Sequence, residues 1–116
     1  IVNTAKIQTT NLNSSKLHRI IFLPSQTKMD QKYRSVIKKI ASYSNNSNSR
    51  IQIRAFASTS GNRPTYARRV SLSRALAIRS ELIQLGVDSS NIDVRALGEP
   101  KDGNLSDRVD VVIKTQ

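Results

Sequence analysis

Apolar positions in this chain gather into short periodic runs separated by polar stretches. Residues 17–23, LHRIIFL, are dense in branched and aromatic side chains and stop at Pro24, which predicts a strand. Ser25 to Asp30 reads as a turn leading into a helix. There Met29, Tyr33, Val36, Ile37, Ile40 and Tyr43 recur at the three-four spacing of a one-sided helix, with Lys32, Lys38 and Lys39 mostly outside the stripe. The polar run 44–49 is a turn. Residues 50–57, RIQIRAFA, alternate, with Ile51, Ile53 and Ala55 set against Gln52, Arg54 and Phe56; this predicts a strand with one buried face.

The longest periodic segment is 65–85. Tyr66, Val70, Ile78 and Leu82, with Ala75 beside them, form one stripe, and Leu72, Leu76 and Ile83 form a second. A helix apolar on more than one side is expected to touch both the sheet and the other helix. Gly86 is placed to end it as a C-terminal cap. Residues 91–97 and 107–113 read as the last two strands, the latter with Val109, Val111 and Ile113 on one face. The loop between them, 98–106, is short enough for a hairpin.

The element order is therefore βαβαββ. It predicts an α/β (α+β) sandwich: a mixed sheet of about four strands with both helices packed on one face. Residues 1–16, rich in Asn, Ser and Thr, read as a polar linker or edge strand, and 17–116 as one domain. No apolar run is long enough to cross a bilayer, and the chain starts at Ile1, so any signal peptide or anchor is expected outside this window.

Composition narrows the chemistry. With 116 residues and no cysteine, a single core is expected and disulfides and thiolate metal sites are excluded. Lys plus Arg is 19 against 8 for Asp plus Glu, a formal charge of +11. That charge favours anionic partners: nucleic acid, phospholipid headgroups or wall polymer. Arg63, Arg68, Arg69 and Arg79 cluster on the long helical segment, where Arg68 and Arg79 share a face, and form a candidate docking surface. Interleaved aromatics for stacking RNA are missing, which argues against nucleic acid.

Catalytic machinery is not legible. His18 is the single histidine, and no carboxylates are spaced to complete a metal site with it. Ser58, Ser60, Ser71 and Ser73 have no evident base, the acidic residues show no paired arrangement, and no phosphate-binding Gly-Lys-Ser/Thr motif occurs. An enzyme, a metal site and a cofactor are not expected.

Residues 66–87 carry a pattern that resembles the core helix of the OmpA-like, peptidoglycan-binding domain family. Tyr66-Ala67, Val70-Ser71-Leu72-Ser73-Arg74-Ala75, Leu82 and Gly86-Val87 stand at that family's motif positions. Ala96-Leu97-Gly98-Glu99-Pro100 matches its Gly-x-Gly-Glu turn, and Ser106-Asp107-Arg108-Val109-Asp110-Val111 its terminal Asn-Arg-Arg-Val-Glu-Ile. The resemblance spans roughly 17–113. It implies a ligand, the diaminopimelate of the peptidoglycan stem peptide, and a carboxylate clamp at Arg74. The family's second-strand Asp is absent: its Gly-His-Thr-Asp reads Ala55-Phe56-Ala57-Ser58 here, and the first Arg of the terminal pair is Asp107. Ser58, Thr59 and Ser60 are then the candidate ligand contacts beside Arg74, uncharged acceptors in place of an ion pair.

Two functions follow from the resemblance. In one, the chain is a periplasmic domain of a Gram-negative bacterium, part of a larger outer-membrane-associated or anchored protein such as a lipoprotein. It then positions an envelope assembly by weak binding of peptidoglycan. In the other, the same fold is a protein–protein module of a multiprotein envelope complex, such as a secretion system or flagellar motor, without wall binding. Other envelope proteins are expected partners in either case.

Overall fold

The computed structural model describes residues 15–47, 49–59, 63–101 and 105–115. Positions 1–14 of the expected linker, and Ser60, Gly61 and Asn62 of the candidate ligand loop, lie outside them.

Strand β1 is Ser15–Ile21. It leaves the sheet through a tight turn in which the Gln26 amide donates to the Leu23 carbonyl at 2.9 Å. Pro24 and Ser25 are its central residues, and Ser25 has φ 67°, the left-handed value that the third position of a type II turn requires. The side chain of Gln26 accepts from the Leu23 amide at 2.7 Å and locks the turn. A single 3-10 turn at Gln31–Tyr33, capped by Asp30, leads into helix α1, Arg34–Asn45. Ile37, Ile40 and Ala41 form its buried face.

Strand β2 is Ser49–Phe56 and helix α2 is Pro64–Gln84. Pro64 sits at the helix start, where its missing N–H costs nothing. Gly86, at φ 97°, ends α2: its amide donates to the Ile83 carbonyl at 3.0 Å and that of Val87 to Leu82 at 3.1 Å. This double bond closes a Schellman cap, and Val87 folds back into the core with Leu82. Strand β3 is Ile92–Gly98 and strand β4 is Arg108–Thr115.

The four strands form one sheet in the order β1-β4-β2-β3. β4 is antiparallel to both β1 and β2, while β2 and β3 pair in parallel. The mixed four-stranded sheet is as the sequence predicts, but β3 and β4 do not form a hairpin, because β2 lies between them. The reason is burial. β4 hides Val109, Val111 and Ile113 on one face and Arg108, Asp110 and Val112 on the other, as a central strand must. β3 buries only its ends, as an edge strand does.

One apolar core joins Ile20, Ile51, Ile53, Val109, Val111 and Ile113 of the sheet to Ile37 and Ile40 of α1 and Ile78 and Leu82 of α2. Both helices therefore cover the same face. His18 lies on that face of β1 at its margin. Burial, reinforced by the Lys16 and Lys39 charges, pushes its pKa below the usual imidazole value. On the opposite face, Asp110 bridges Arg19 at 2.9 Å and Arg108 at 3.0 Å, and the Arg108 guanidinium stacks 4.0 Å from the Phe56 ring centre.

The Schellman cap gives a direct test of this topology. A Cβ at position 86 would sit at a strained φ and 3.4 Å from Asn45 Nδ2. Gly86→Ala is expected to lower unfolding free energy by about 1–2 kcal/mol, read as a shift in urea midpoint at unchanged slope.

Candidate functional site

β4 runs opposite to the other three strands, so its first residues lie at the end of the sheet where β1, β2 and β3 finish. This topology brings Asp107 beside Ser58. The Phe22 amide donates to the Asp107 carbonyl at 3.0 Å and the Ala57 amide to Gly98 at 2.9 Å, which fix the strand ends to one another. The first half of α2 packs over this end. Ser71 Oγ accepts from the Gly98 amide at 3.1 Å and donates to the Arg68 carbonyl at 2.9 Å. Gly98 takes the left-handed φ of 68° at the strand end, beneath the α2 backbone at Arg68.

Arg74 points from α2 into this junction and is 0% exposed. Its guanidinium donates from Nε to the Gln26 carbonyl at 2.6 Å and from Nη2 to the Leu23 carbonyl at 3.0 Å. Nη1 donates to the Phe56 carbonyl and to Asp107 Oδ1, both at 2.9 Å. The Phe22 ring lies 4.8 Å from its central carbon. A guanidinium has five N–H donors, so these bonds leave at most a single donor for any ligand.

Asp107 is shared. Its Oδ1 also accepts from the Ser58 amide at 3.0 Å, and its Oδ2 from Ser58 Oγ at 2.7 Å. Burial raises the Asp107 pKa, but the two Ser58 donors and Arg74 outweigh it and hold the carboxyl below its ordinary range. In the sequence Asp107 is only a departure from a motif. The pair Arg74–Asp107 is 33 residues apart, and nothing local signals it.

The other expected site residues are placed differently. Thr59 Oγ1 donates to the Arg63 carbonyl at 3.2 Å and so closes the loop into α2. Ser60 lies outside the described residues. Arg63 stacks 4.7 Å from the Tyr66 ring centre, whose hydroxyl is 3.1 Å from Ser25 Oγ. Arg68 and Arg69 are exposed and Arg79 is half-buried on α2, well away from Arg74 on the helix circumference. Among the described residues no group of three or more His, Cys, Asp or Glu side chains is placed to hold a metal ion. No described helix is long and apolar enough to cross a membrane.

Comparison with known proteins places this geometry. A family model described as the OmpA family matches residues 21–111. The structure is similar to the OmpA-like domain of FopA1 from Francisella tularensis, with a TM-score of 0.75 and 20% identity over 88% of this chain and 76% of that one. It is similar to the peptidoglycan-associated lipoprotein from Burkholderia pseudomallei, with a TM-score of 0.69 and 18% identity, covering 83% of this chain and 89% of that one. The periplasmic domain of Helicobacter pylori MotB gives a TM-score of 0.68 and 17% identity over 91% of this chain and 80% of that one. A search of curated protein sequences gives no match. At such identities the structural likeness speaks for the fold, which is OmpA-like.

The Arg74–Asp107 pair yields a stability prediction. Asp107→Asn leaves a buried guanidinium without its counter-charge and is expected to cost about 3 kcal/mol at pH 7. Because the folded pKa of Asp107 lies below the unfolded one, its contribution is complete above the unfolded value, about 4, and is lost as pH falls through the folded value. Urea unfolding at pH 7 and pH 3 should therefore show a gap between wild type and variant that narrows in acid. Equal midpoints at pH 7 would contradict the pairing.

Proposed function

This chain belongs to the OmpA family, and from that premise we propose that it is a non-catalytic cell-envelope domain that works through contacts with other envelope proteins. The observation that carries this reading is the state of Arg74. A diaminopimelate carboxylate needs a planar two-pronged donor. Arg74 is fully buried, and three backbone carbonyls and Asp107 already take its donors. Asp107 gives Arg74 a carboxylate partner from within the chain, and Ser58 spends both of its donors on that carboxylate. In this reading Arg74 is a structural tie.

The setting is the periplasm of a Gram-negative bacterium, within a larger outer-membrane-associated or anchored protein. It is supported by the family and by the similar structures, one from a peptidoglycan-associated lipoprotein and one from a periplasmic domain. A secretion-system or motor-type assembly is the kind of host that fits.

A second reading keeps the wall as ligand, and one observation favours it. Asp107 supplies from β4 the acidic group that β2 lacks, and its side chain keeps 14% exposure. An ammonium group of the stem peptide could then meet Asp107 while Arg74 stays out of contact.

A pull-down on insoluble peptidoglycan at physiological salt separates the two. The expected result is retention that higher salt removes and that a diaminopimelate muropeptide does not compete, the behaviour of a +11 chain on an anionic polymer. A muropeptide dissociation constant near micromolar, lost in Asp107→Asn that still shows a folded circular dichroism spectrum, would overturn the first reading in favour of the second.

A further inference from the structure

Among the described residues, none buries the second apolar stripe of α2. Leu72 is 43%, Leu76 45% and Ile83 36% exposed. They recur at the three-four spacing that stacks residues on one helix face, and that face points away from Arg74, Ile78 and Leu82, which are buried. α1 does not cover it. α1 meets α2 on another side, where Arg34 approaches Glu81 at 3.8 Å and a cavity of about 380 Å³ is lined by Met29, Arg34, Ala77, Ser80 and Glu81. α2 thus touches both the sheet and α1, as its two apolar sides predict, but it does not meet α1 through this stripe. A helix apolar on both sides that covers only one of them leaves an interface.

The charge around the stripe says what kind. Arg68 and Arg69 stand exposed at its N-terminal end, and Arg79 lies within it between Leu76 and Ile83. Glu81 is the one carboxylate in α2, and it lies on the α1 side, next to Arg34. A second copy of this chain would oppose arginine with arginine on a molecule already at +11. Leu72 and Leu76, one helical turn apart, form the kind of ridge that enters the groove of another helix. From Leu72 to Ile83 the stripe rises about 16 Å, the length of an ordinary helix-on-helix contact. The stripe itself carries no aromatic side chain of the kind that anchors a helix lying on a bilayer.

We propose that the outer face of α2, Leu72, Leu76 and Ile83 bordered by Arg68, Arg69 and Arg79, docks an amphipathic helix with an apolar seam and acidic flanks, presented by a partner protein. This rests on the protein-contact reading above and adds to it the face and the chemistry of the partner. Arg74 takes no part, so the two ideas fail separately.

The test uses the chain with a fluorescent synthetic helix carrying a leucine seam between glutamates, beside the same peptide with lysines for glutamates, at physiological salt. Binding of the acidic peptide in the micromolar range is expected, with no measurable binding of the basic one. Leu72→Glu with Leu76→Glu, and separately Arg68→Glu with Arg79→Glu, should each weaken it at least about tenfold; all four positions are exposed or half-buried, and circular dichroism checks that the variants fold. Failure to bind, or binding that the leucine variants leave intact, overturns the proposal. So does binding to phosphatidylglycerol vesicles through the same residues when the peptide does not bind. Muropeptide binding by the same samples would overturn the protein-contact reading and leave the peptide result to decide the stripe.

Discussion

One buried charge organises the end of this domain where β1, β2 and β3 finish. A guanidinium removed from water costs several kcal/mol unless its donors are met and its charge is balanced. Arg74 meets this demand from three separate chain segments at once: the turn after β1 through Leu23 and Gln26, the end of β2 through Phe56, and the entry to β4 through Asp107. Each of those segments is irregular, and irregular backbone needs partners for its carbonyls. The same contacts that neutralise the arginine thus supply the acceptors' partners, and the turn with its left-handed Ser25 is held in shape by them.

That arrangement bears on function because it is self-contained. In a pocket poised for a charged ligand, some donor or acceptor is left for the ligand to complete. Here the carboxylate of Asp107 completes the arginine, and Ser58 completes the carboxylate. An exposed apolar face lies elsewhere on the same helix. α2 turns Arg74 and Ile78 inward and presents Leu72, Leu76 and Ile83 outward, so a single helix carries both a closed polar junction and an open apolar face.

Much of the fold is legible in the sequence because it rests on local signals. The branched run before Pro24, the alternation of Ile51, Ile53 and Ala55, and the glycine at 86 each announce an element or its end, and the structure follows with shifts of a residue or two at the borders. Pairing is another matter. The insertion of β4 between β1 and β2 is decided by register contacts such as Arg19 with Asp110 and Ile53 with Val111, which no short-range pattern encodes. The unbroken apolar run Val111-Val112-Ile113 does carry a trace of it, since a strand buried on both faces belongs inside a sheet. At the candidate site, Arg74 stands out by its motif, whereas Asp107 gains its meaning only when the antiparallel course of β4 returns it to Ser58. Periodicity likewise reveals the second stripe of α2 but not whether anything covers it.

The most direct measurement of the central claim is the side-chain NMR signal of the Arg74 Nε–H group. Held against the Gln26 carbonyl and shut off from solvent, it should exchange with water far more slowly than those of the exposed arginines, and millimolar meso-diaminopimelate should leave it unmoved. Fast exchange, or a saturable shift on adding the diamino acid, would contradict the account and show an arginine still open to a ligand.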